Sequence, residues 1–378
     1  MKGSMTELIN PVVVAVGDNP TPIWGMGGAE RIRRIAAAAK LNCGEAPADR
    51  PSLLVNLDFV FDPPLLGYMA TRPDTMLVRD GVPVLAHVQP DMAAAIAEAM
   101  KAGAPLPSGL PLVILVHDDN FRLYNDQLRK REQPFAMRLT PGTVPAIERA
   151  SYYAAYKGVT DVLTKYLWPE WALVLTRICA RLGMRPNMVT GIGAILCVLA
   201  FFLFQGGHYW AGMAAGLVFM VLDTVDGKLA RCTITSSKWG NIFDHGIDLV
   251  HPPFWWWAWG AGLGSWGLAL DDRTFALVMA AIVGGYVVQR LIEGAFLRFY
   301  DMHIHVWEKA DSNFRLITAR RNPNMVILFA SVVLGRPDLG LIAVAWWTIL
   351  SLLFHAVRLV QAMARKASGR PITSWLQA

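Results

Sequence analysis

Charged residues are scarce in this 378-residue chain: they make up 17% of it, against about 25% in an average soluble protein. With an apolar share of 54%, that scarcity excludes a disordered chain and argues against an ordinary soluble one. Cysteine is scarce too. The four present, Cys43, Cys179, Cys197 and Cys232, lie far apart and form no CxxC pair, so neither a disulfide framework nor a zinc site is expected. Met1–Asn10 lacks the long apolar stretch of a cleaved signal peptide, so the N-terminal part is expected to stay in the cytoplasm. No internal repeat or low-complexity tract stands out. The net charge of +6 is a small excess. It sits mostly beside apolar runs, where attraction to anionic lipid explains it better than nucleic acid does.

Residues 1–186 hold 20 Lys/Arg and 18 Asp/Glu, whereas residues 187–378 hold 15 and 11 together with 11 of the 14 Trp. That second half contains six apolar segments: Met188–Phe204, Trp210–Leu222, Ile242–Gly262, Phe275–Phe296, Met325–Leu334 and Leu339–Val360. A hydrocarbon core of about 30 Å takes about 20 helical residues to cross. Residues 187–378 are therefore expected to form an α-helical membrane bundle of six transmembrane helices. The fifth segment is too short to span alone and must recruit polar flanks or shelter among its neighbours. Basic residues concentrate in alternate loops (Lys228, Arg231, Lys238; Arg298, Lys309, Arg315, Arg320, Arg321; Arg365, Lys366, Arg370), while the other loops offer only Arg273 and Arg336. This asymmetry puts both termini on the cytoplasmic side of the cell's inner membrane.

Ahead of the bundle, residues 1–144 alternate between strand and helix signals, as a soluble α/β domain does. Pro11–Val16 and Leu53–Phe61 read as strands, and Ala29–Lys40 as a helix after the Gly25–Gly28 cluster. Met76–Val88 reads as two strands around an Asp80-Gly81 turn. Asp91–Ala102 reads as a helix capped by Asp91, and Leu112–Val116 as a further strand. Residues 145–186 mix aromatic and apolar residues with Lys157, Lys165, Arg177, Arg181 and Arg185. They suit linking helices at the membrane surface or a helical hairpin packed on the soluble domain.

The densest chemistry lies in Asp223-Thr-Val-Asp226-Gly227-Lys-Leu-Ala230-Arg231, eight residues, then Gly240-Asn-Ile-Phe-Asp244-His-Gly-Ile-Asp248. Spacings of three and four put Asp223 with Asp226, and Asp244 with Asp248, on one helix face each. If the two helices are antiparallel neighbours, the four carboxylates converge. Such a group repels itself and is costly to desolvate. Hard divalent cations with oxygen ligands are its natural partners, and two of them can clamp the attacking and leaving oxygens of a displacement at phosphorus. Gly227 and Ala230 leave room for a nucleotide, and Arg231 offers a forked cation to a phosphate.

This string resembles the signature of the CDP-alcohol phosphotransferase family, D-x2-D-G-x2-A-R-x8-G-x3-D-x3-D, at every specified position. Pro186-Asn187-Met188-Val189-Thr190 is similar to the start of the family's first membrane helix. The resemblance, over roughly residues 184–360, implies six transmembrane helices and a homodimer. It also implies a two-metal transfer, dependent on Mg²⁺ or Mn²⁺, of a substituted phosphate from a CDP-linked donor to an alcohol acceptor, with release of CMP. Asp223, Asp226, Asp244 and Asp248 would be the metal ligands, Asp248 also the general base, and Asn187, Gly227, Ala230, Arg231 and Gly240 the CDP-binding residues. The donor is either CDP-diacylglycerol or a CDP-linked polar alcohol. A transporter or non-catalytic scaffold keeping the bundle is the alternative from another class; the absence of a repeat and the clustering of acids at one face count against it.

Residues 1–144 resemble the nucleotidyltransferase-like domain fused to some family members, as in the bifunctional inositol-phosphate cytidylyltransferase and di-inositol-phosphate-phosphate synthases. The likeness rests on Leu53–Pro63, where Asp58 would end a strand, and on the Asp80-Gly81 hairpin. Gly17-Asp-Asn-Pro-Thr-Pro22 replaces the Gly-rich basic loop that an active enzyme needs. Gly25–Gly28 with Arg31 is the candidate substitute, but a degenerate domain is the expectation. Arg290 and Glu293, three apart within the fourth segment, are either acceptor-binding, through Arg290, or a structural pair. His245 and His251 are expected to be packing residues, and Pro252-Pro253 to kink the third segment.

Overall fold

The computed structural model of the chain describes residues 10–103, 109, 111–118, 121–125 and 128–377; the sequence expectation for Met1–Ile9 lies outside them. The N-terminal α/β domain is built on a five-stranded mixed sheet whose order is β1 (Val12–Val16), β2 (Ser52–Asn56), β5 (Val82–Val88), β4 (Thr75–Arg79), β6 (Val113–Val116). Strand β1 (Val12–Val16) pairs in parallel with β2 (Ser52–Asn56), Val13 opposite Leu53, and helix α1 (Gly28–Ala38) makes the crossover that a parallel pair requires. Strands β4 (Thr75–Arg79) and β5 (Val82–Val88) form a hairpin. Asp80 and Gly81 both have positive φ, 51° and 77°, the requirement of a type I′ turn. The edge strand β6 (Val113–Val116) pairs in parallel with β4.

Two expectations change here. The single strand foreseen over Leu53–Phe61 is two: Asn56 Oδ1 accepts the Asp58 amide at 3.0 Å, closing a tight turn of the kind asparagine side chains favour. That turn sends β3 (Phe59–Phe61) out of the sheet to pair with β9 (Ala136–Arg138). Asp58 thus sits in a turn and ends no strand. Helix α3 (Pro90–Ala102) starts one residue early, with Gln89 as N-cap, because the ring of Pro90 suits the first helical position; Asp91 lies in its first turn. The short helix α2 (Pro64–Ala70) covers one face of the sheet, and a small hairpin, β7 (Leu123–Asn125) with β8 (Lys130–Glu132), leads to β9.

Helices α4 (Val144–Ala154) and α5 (Pro169–Arg181), with a π turn at Leu163–Leu167, link the domain to the bundle. All six apolar segments lie in helices: α6 (Pro186–Gln205), α7 (Tyr209–Cys232), α8 (Lys238–Gly262), α9 (Asp272–Met279) continued through a π turn into α10 (Gly285–Tyr300), α12 (Arg321–Val333) and α13 (Pro337–Ala367). A short α11 (Lys309–Arg315) lies in the loop between α10 and α12. By length and composition three are fit to cross a membrane: Pro186–Gln205, Asp272–Tyr300 and Pro337–Ala367. Helices α7 and α8 are long enough at 24 and 25 residues, but their ends carry the acidic motif. Helix α12 has only 13 residues, about 20 Å of rise.

The bundle closes through small residues facing aromatic ones. Gly193 lies against Phe219, and Gly216 against Trp255. Trp255 and Trp259 are buried in the bundle, their indole N–H groups donating to the carbonyls of Cys197 and Pro337 at 3.0 and 3.1 Å. Gly262 touches the end of α6: a Cβ there would collide with the Phe204 carbonyl oxygen and reach 2.9 Å from the Gly207 amide nitrogen. Both obstacles are backbone and cannot rotate away. Gly262→Ala is therefore expected to destabilise the bundle by about 2 kcal/mol, read as a lower thermal midpoint of the purified full chain in detergent. An unchanged midpoint would contradict this packing.

Candidate active site

The motif residues lie on the facing ends of α7 and α8, joined by the short turn 233–237. Ser237 caps α8, its Oγ accepting the Gly240 amide at 3.0 Å, a standard N-cap arrangement. One oxygen each from Asp223, Asp244 and Asp248 lies within 4.8 Å of the others. Asp226 is 3% exposed: Thr190 Oγ1 donates to its Oδ2 at 2.5 Å, while its Oδ1 is buried with no hydrogen-bond partner among the described residues. An orphaned buried carboxylate oxygen is costly; Asp226 itself lies outside the three-acid group whose oxygens come within 4.8 Å of one another.

Arg321, the first residue of α12, forks across this group. Its Nη2 donates to Asp223 Oδ2 at 2.6 Å and its Nη1 to Asp248 Oδ1 at 2.7 Å. The sequence showed Arg321 only as one of several loop bases. Its role depends on contacts across 98 and 73 residues, and no local spacing signals them. Asp248 is the most open of the acids, its side chain 45% exposed.

Of the expected CDP-binding residues, Gly227, Ala230 and Arg231 lie on α7, Gly240 on α8 and Asn187 at the start of α6. A Cβ on Gly240 would come within 2.8 Å of Asn187 Oδ1, so glycine is what lets the start of α8 meet the start of α6. A Cβ on Gly227 would sit 3.1 Å from Arg231 Nη2. Ala230 lies on the same turn of α7, and Arg231 Nε donates to the Ala155 carbonyl at 3.0 Å. The structure does not bring Arg290 onto the acids. Its Nη2 donates to Glu293 Oε1 at 2.9 Å, and Glu293 also receives Arg320. His251 packs edge-on against Phe219 and Trp255, as expected, but His245 is not a packing residue: its side chain is exposed, its Nδ1 meeting the Asn241 carbonyl at 2.9 Å and lying 3.6 Å from Asp244 Oδ2.

The Gly25–Gly28 cluster with Arg31 does not form a triphosphate cradle. Arg31 is buried and donates to the carbonyls of Cys232 and Phe61 at 3.3 and 3.4 Å, and the cavity beside it measures only about 10 Å³. Its guanidinium ties the N-terminal domain to the end of α7. Burial lowers its pKa to about 10. A wider cleft of about 550 Å³ opens instead at the carboxyl ends of β1 and β2, beside Gly17, Asp18, Asp58 and Lys101. Asp58 is held there by Asn19 Nδ2 at 3.0 Å.

Removing one partner of a desolvated ion pair leaves the other uncompensated, at a cost of about 3 kcal/mol. Arg321→Met is therefore expected to lower the thermal midpoint in chelator. Added Mg²⁺ or Mn²⁺ should recover more of it than it adds to the unaltered chain. Equal metal-induced shifts in both proteins would show that Arg321 does not balance these acids.

Residues 184–313 match the family model described as CDP-alcohol phosphatidyltransferase. Among curated proteins, cholinephosphotransferase 1 of Gallus gallus is 31% identical over 127 residues, 31% of this chain and 36% of that protein. The archaetidylinositol phosphate synthase of Pyrococcus horikoshii is 28% identical over 193 residues, 50% of this chain and 89% of that protein. The chain spans about a third or less of the first curated relatives it matches (28%, 36% and 27%). A solved phosphatidylinositol phosphate synthase of Mycobacterium tuberculosis with CDP-DAG bound aligns with a TM-score of 0.39 and 16% identity, over 50% of this chain and 92% of that one. Residues 184–313, which hold the whole acidic motif, are thus the part of the chain that is similar to the CDP-alcohol phosphatidyltransferase family.

Proposed function

We propose that this chain is an integral membrane CDP-alcohol phosphotransferase of phospholipid or related phosphodiester synthesis. It moves a substituted phosphate from a CDP-linked donor, either CDP-diacylglycerol or a CDP-linked polar alcohol, to an alcohol hydroxyl and releases CMP. The observation that carries this is the meeting of Asp223, Asp244 and Asp248 oxygens within 4.8 Å, inside the residues that match the family. Asp223, Asp226, Asp244 and Asp248 would hold two divalent ions, Mg²⁺ or Mn²⁺, and the all-oxygen donor set with its orphaned Asp226 Oδ1 fits them. Bound there, the ions would offset the negative charge of the diphosphate and polarise its phosphorus–oxygen bonds.

The chain's own residues do the rest. Asp248 takes the proton of the acceptor hydroxyl, as a general base within hydrogen-bond reach must, and Arg321 fixes the orientation of its carboxylate. The new bond joins the acceptor oxygen to phosphorus as the bond from phosphorus to the CMP oxygen breaks. Gly227 and Ala230 leave space for the nucleotide, Arg231 meets its phosphate, and the contact of Gly240 with Asn187 shapes the floor. Arg290, paired with Glu293 away from the acids, keeps the structural role that is the alternative to acceptor binding.

In the membrane, α6, α7, α8, the continuous α9–α10, α12 and α13 make six spans in a homodimer. Both termini and the acidic site face the cytoplasm across the inner membrane. The exposed stripe Trp171, Val174, Ile178 and Leu182 of α5 rests on the bilayer surface. Residues 1–144 serve as a degenerate nucleotidyltransferase-like platform.

Purified full chain with Mg²⁺ or Mn²⁺ is expected to release CMP from one donor class, when CDP-diacylglycerol and CDP-linked polar alcohols are offered with a mixed acceptor pool. Asp248→Asn should lower the rate by about 10²- to 10⁴-fold, and EDTA should abolish it. A folded, metal-binding protein that yields no CMP from any donor would overturn the proposal.

A further inference from the structure

The segment 155–162, between α4 and the π turn, runs among three bodies and is fastened to each. From the N-terminal domain, the Gly158 amide donates to the Leu128 carbonyl at 2.8 Å. The β7–β8 hairpin presses so closely that a Cβ on Gly158 would lie 2.5 Å from the Arg129 carbonyl oxygen and 2.7 Å from Lys130 Cβ. From the acidic motif, Arg231 Nε donates to the Ala155 carbonyl at 3.0 Å. From the start of α12, Asn322 Nδ2 donates to Asp161 Oδ1 at 3.0 Å, and the Val162 amide reaches the Leu316 carbonyl at 2.9 Å.

Lys157 lies at the centre of this segment. Its side chain is half-buried and, among the described residues, makes no hydrogen bond or ion pair. Arg129, Arg231 and Lys228 are its neighbours of like charge; Asp244 and Asp223 are its neighbours of opposite charge. Burial, then repulsion from Arg129 and Arg231, lowers its pKa to about 8. The nearby Asp223 is already engaged by Arg321. An ammonium kept partly out of water, without a hydrogen bond or ion pair of its own and near further cations, suffers desolvation and repulsion together. An anion with several acceptor oxygens and more than one negative charge removes both costs at once. Lysine meets a phosphate as a point charge and arginine as a fork.

We infer that Lys157 is a phosphate-binding residue of the active site. With Arg231 it grips the diphosphate of the nucleotide donor beside the carboxylates, and the N-terminal domain holds it there through the β7–β8 hairpin. The inference rests on the CDP-linked donor proposed above. It gives the N-terminal domain a part in the membrane site that needs no catalysis of its own.

The test is calorimetric binding of CDP and CMP, with Mg²⁺, to the full chain in detergent. Lys157→Met is expected to weaken CDP about tenfold, equivalent to 1.4 kcal/mol, and CMP by less, at an unchanged thermal midpoint. Lys157→Arg should keep most of the affinity. Gly158→Val alters no charge, yet it should weaken CDP in the same direction by pushing the hairpin away. If Lys157→Met loses its thermal transition, Lys157→Gln repeats the measurement. CDP affinity unchanged in the neutral variants, or lost equally in Lys157→Arg, overturns the inference and leaves the proposed function standing. An unaltered chain with no affinity for CDP overturns both.

Discussion

Four carboxylates on the facing ends of two packed helices cannot be drawn out of water unless something positive enters with them. Each buried anion costs several kcal/mol when unpaired, and side chains this close multiply that cost by repulsion. The fold meets the constraint with one forked guanidinium. Arg321 reaches Asp223 and Asp248 together, while its neighbour Arg320 turns the other way to Glu293 on α10. The first turn of α12 is thus stapled between α10 on one side and α7 and α8 on the other. A 13-residue helix too short to span by itself is positioned by charge at its polar end and by apolar packing along the rest.

The same economy joins the N-terminal domain to the bundle. The last carbonyls of a helix have no intrahelical donors and carry the negative end of its dipole, so cations are favoured there. At the end of α7, Arg31 donates to the Cys232 carbonyl and Arg34 to the Thr233 carbonyl at 2.9 Å. Both arginines come from α1, directly after the Gly-rich stretch. A guanidinium committed to a helix end is unavailable to a triphosphate, so the docking of the domain uses up the basic residue that follows the Gly-rich stretch. The helix so anchored is the one that carries Asp223, Asp226 and Arg231.

The acidic site was legible because its information is local. Spacings of three and four residues on two adjacent helices bring side chains to one face before any tertiary contact is known. The I′ hairpin at Asp80-Gly81 and the helices over the apolar segments were legible for the same reason, although only three of those helices are long and apolar enough to span a membrane. What stayed hidden depends on contacts distant in sequence, or on one side chain overriding a pattern. Arg321 is such a contact, and so is the neighbourhood of Lys157. The apolar run Leu53–Phe61 reads as one strand, yet a single Asn56 side chain folds it into two. Composition also hides where a span ends, since α7 runs ten residues beyond its apolar segment, carrying its acids with it.

A second cluster shows why donor type alone does not define a metal centre. Glu293, His305 and His355 bring ligand atoms within 4.8 Å of one another, a carboxylate and two imidazoles of the kind that bind transition metals. The charge around them decides otherwise. Both oxygens of Glu293 already accept from Arg320, and one also accepts from Arg290, so the only anion in the group is spent. Arg315 adds a further buried guanidinium with Nε and Nη1 unpaired among the described residues. A divalent cation entering here would face more positive charge than negative, whereas at Asp223, Asp226, Asp244 and Asp248 it would relieve the opposite imbalance. The two clusters bring their ligand atoms equally close and differ oppositely in electrostatics, and it is the electrostatics that makes the ends of α7 and α8 the better candidate for a cation.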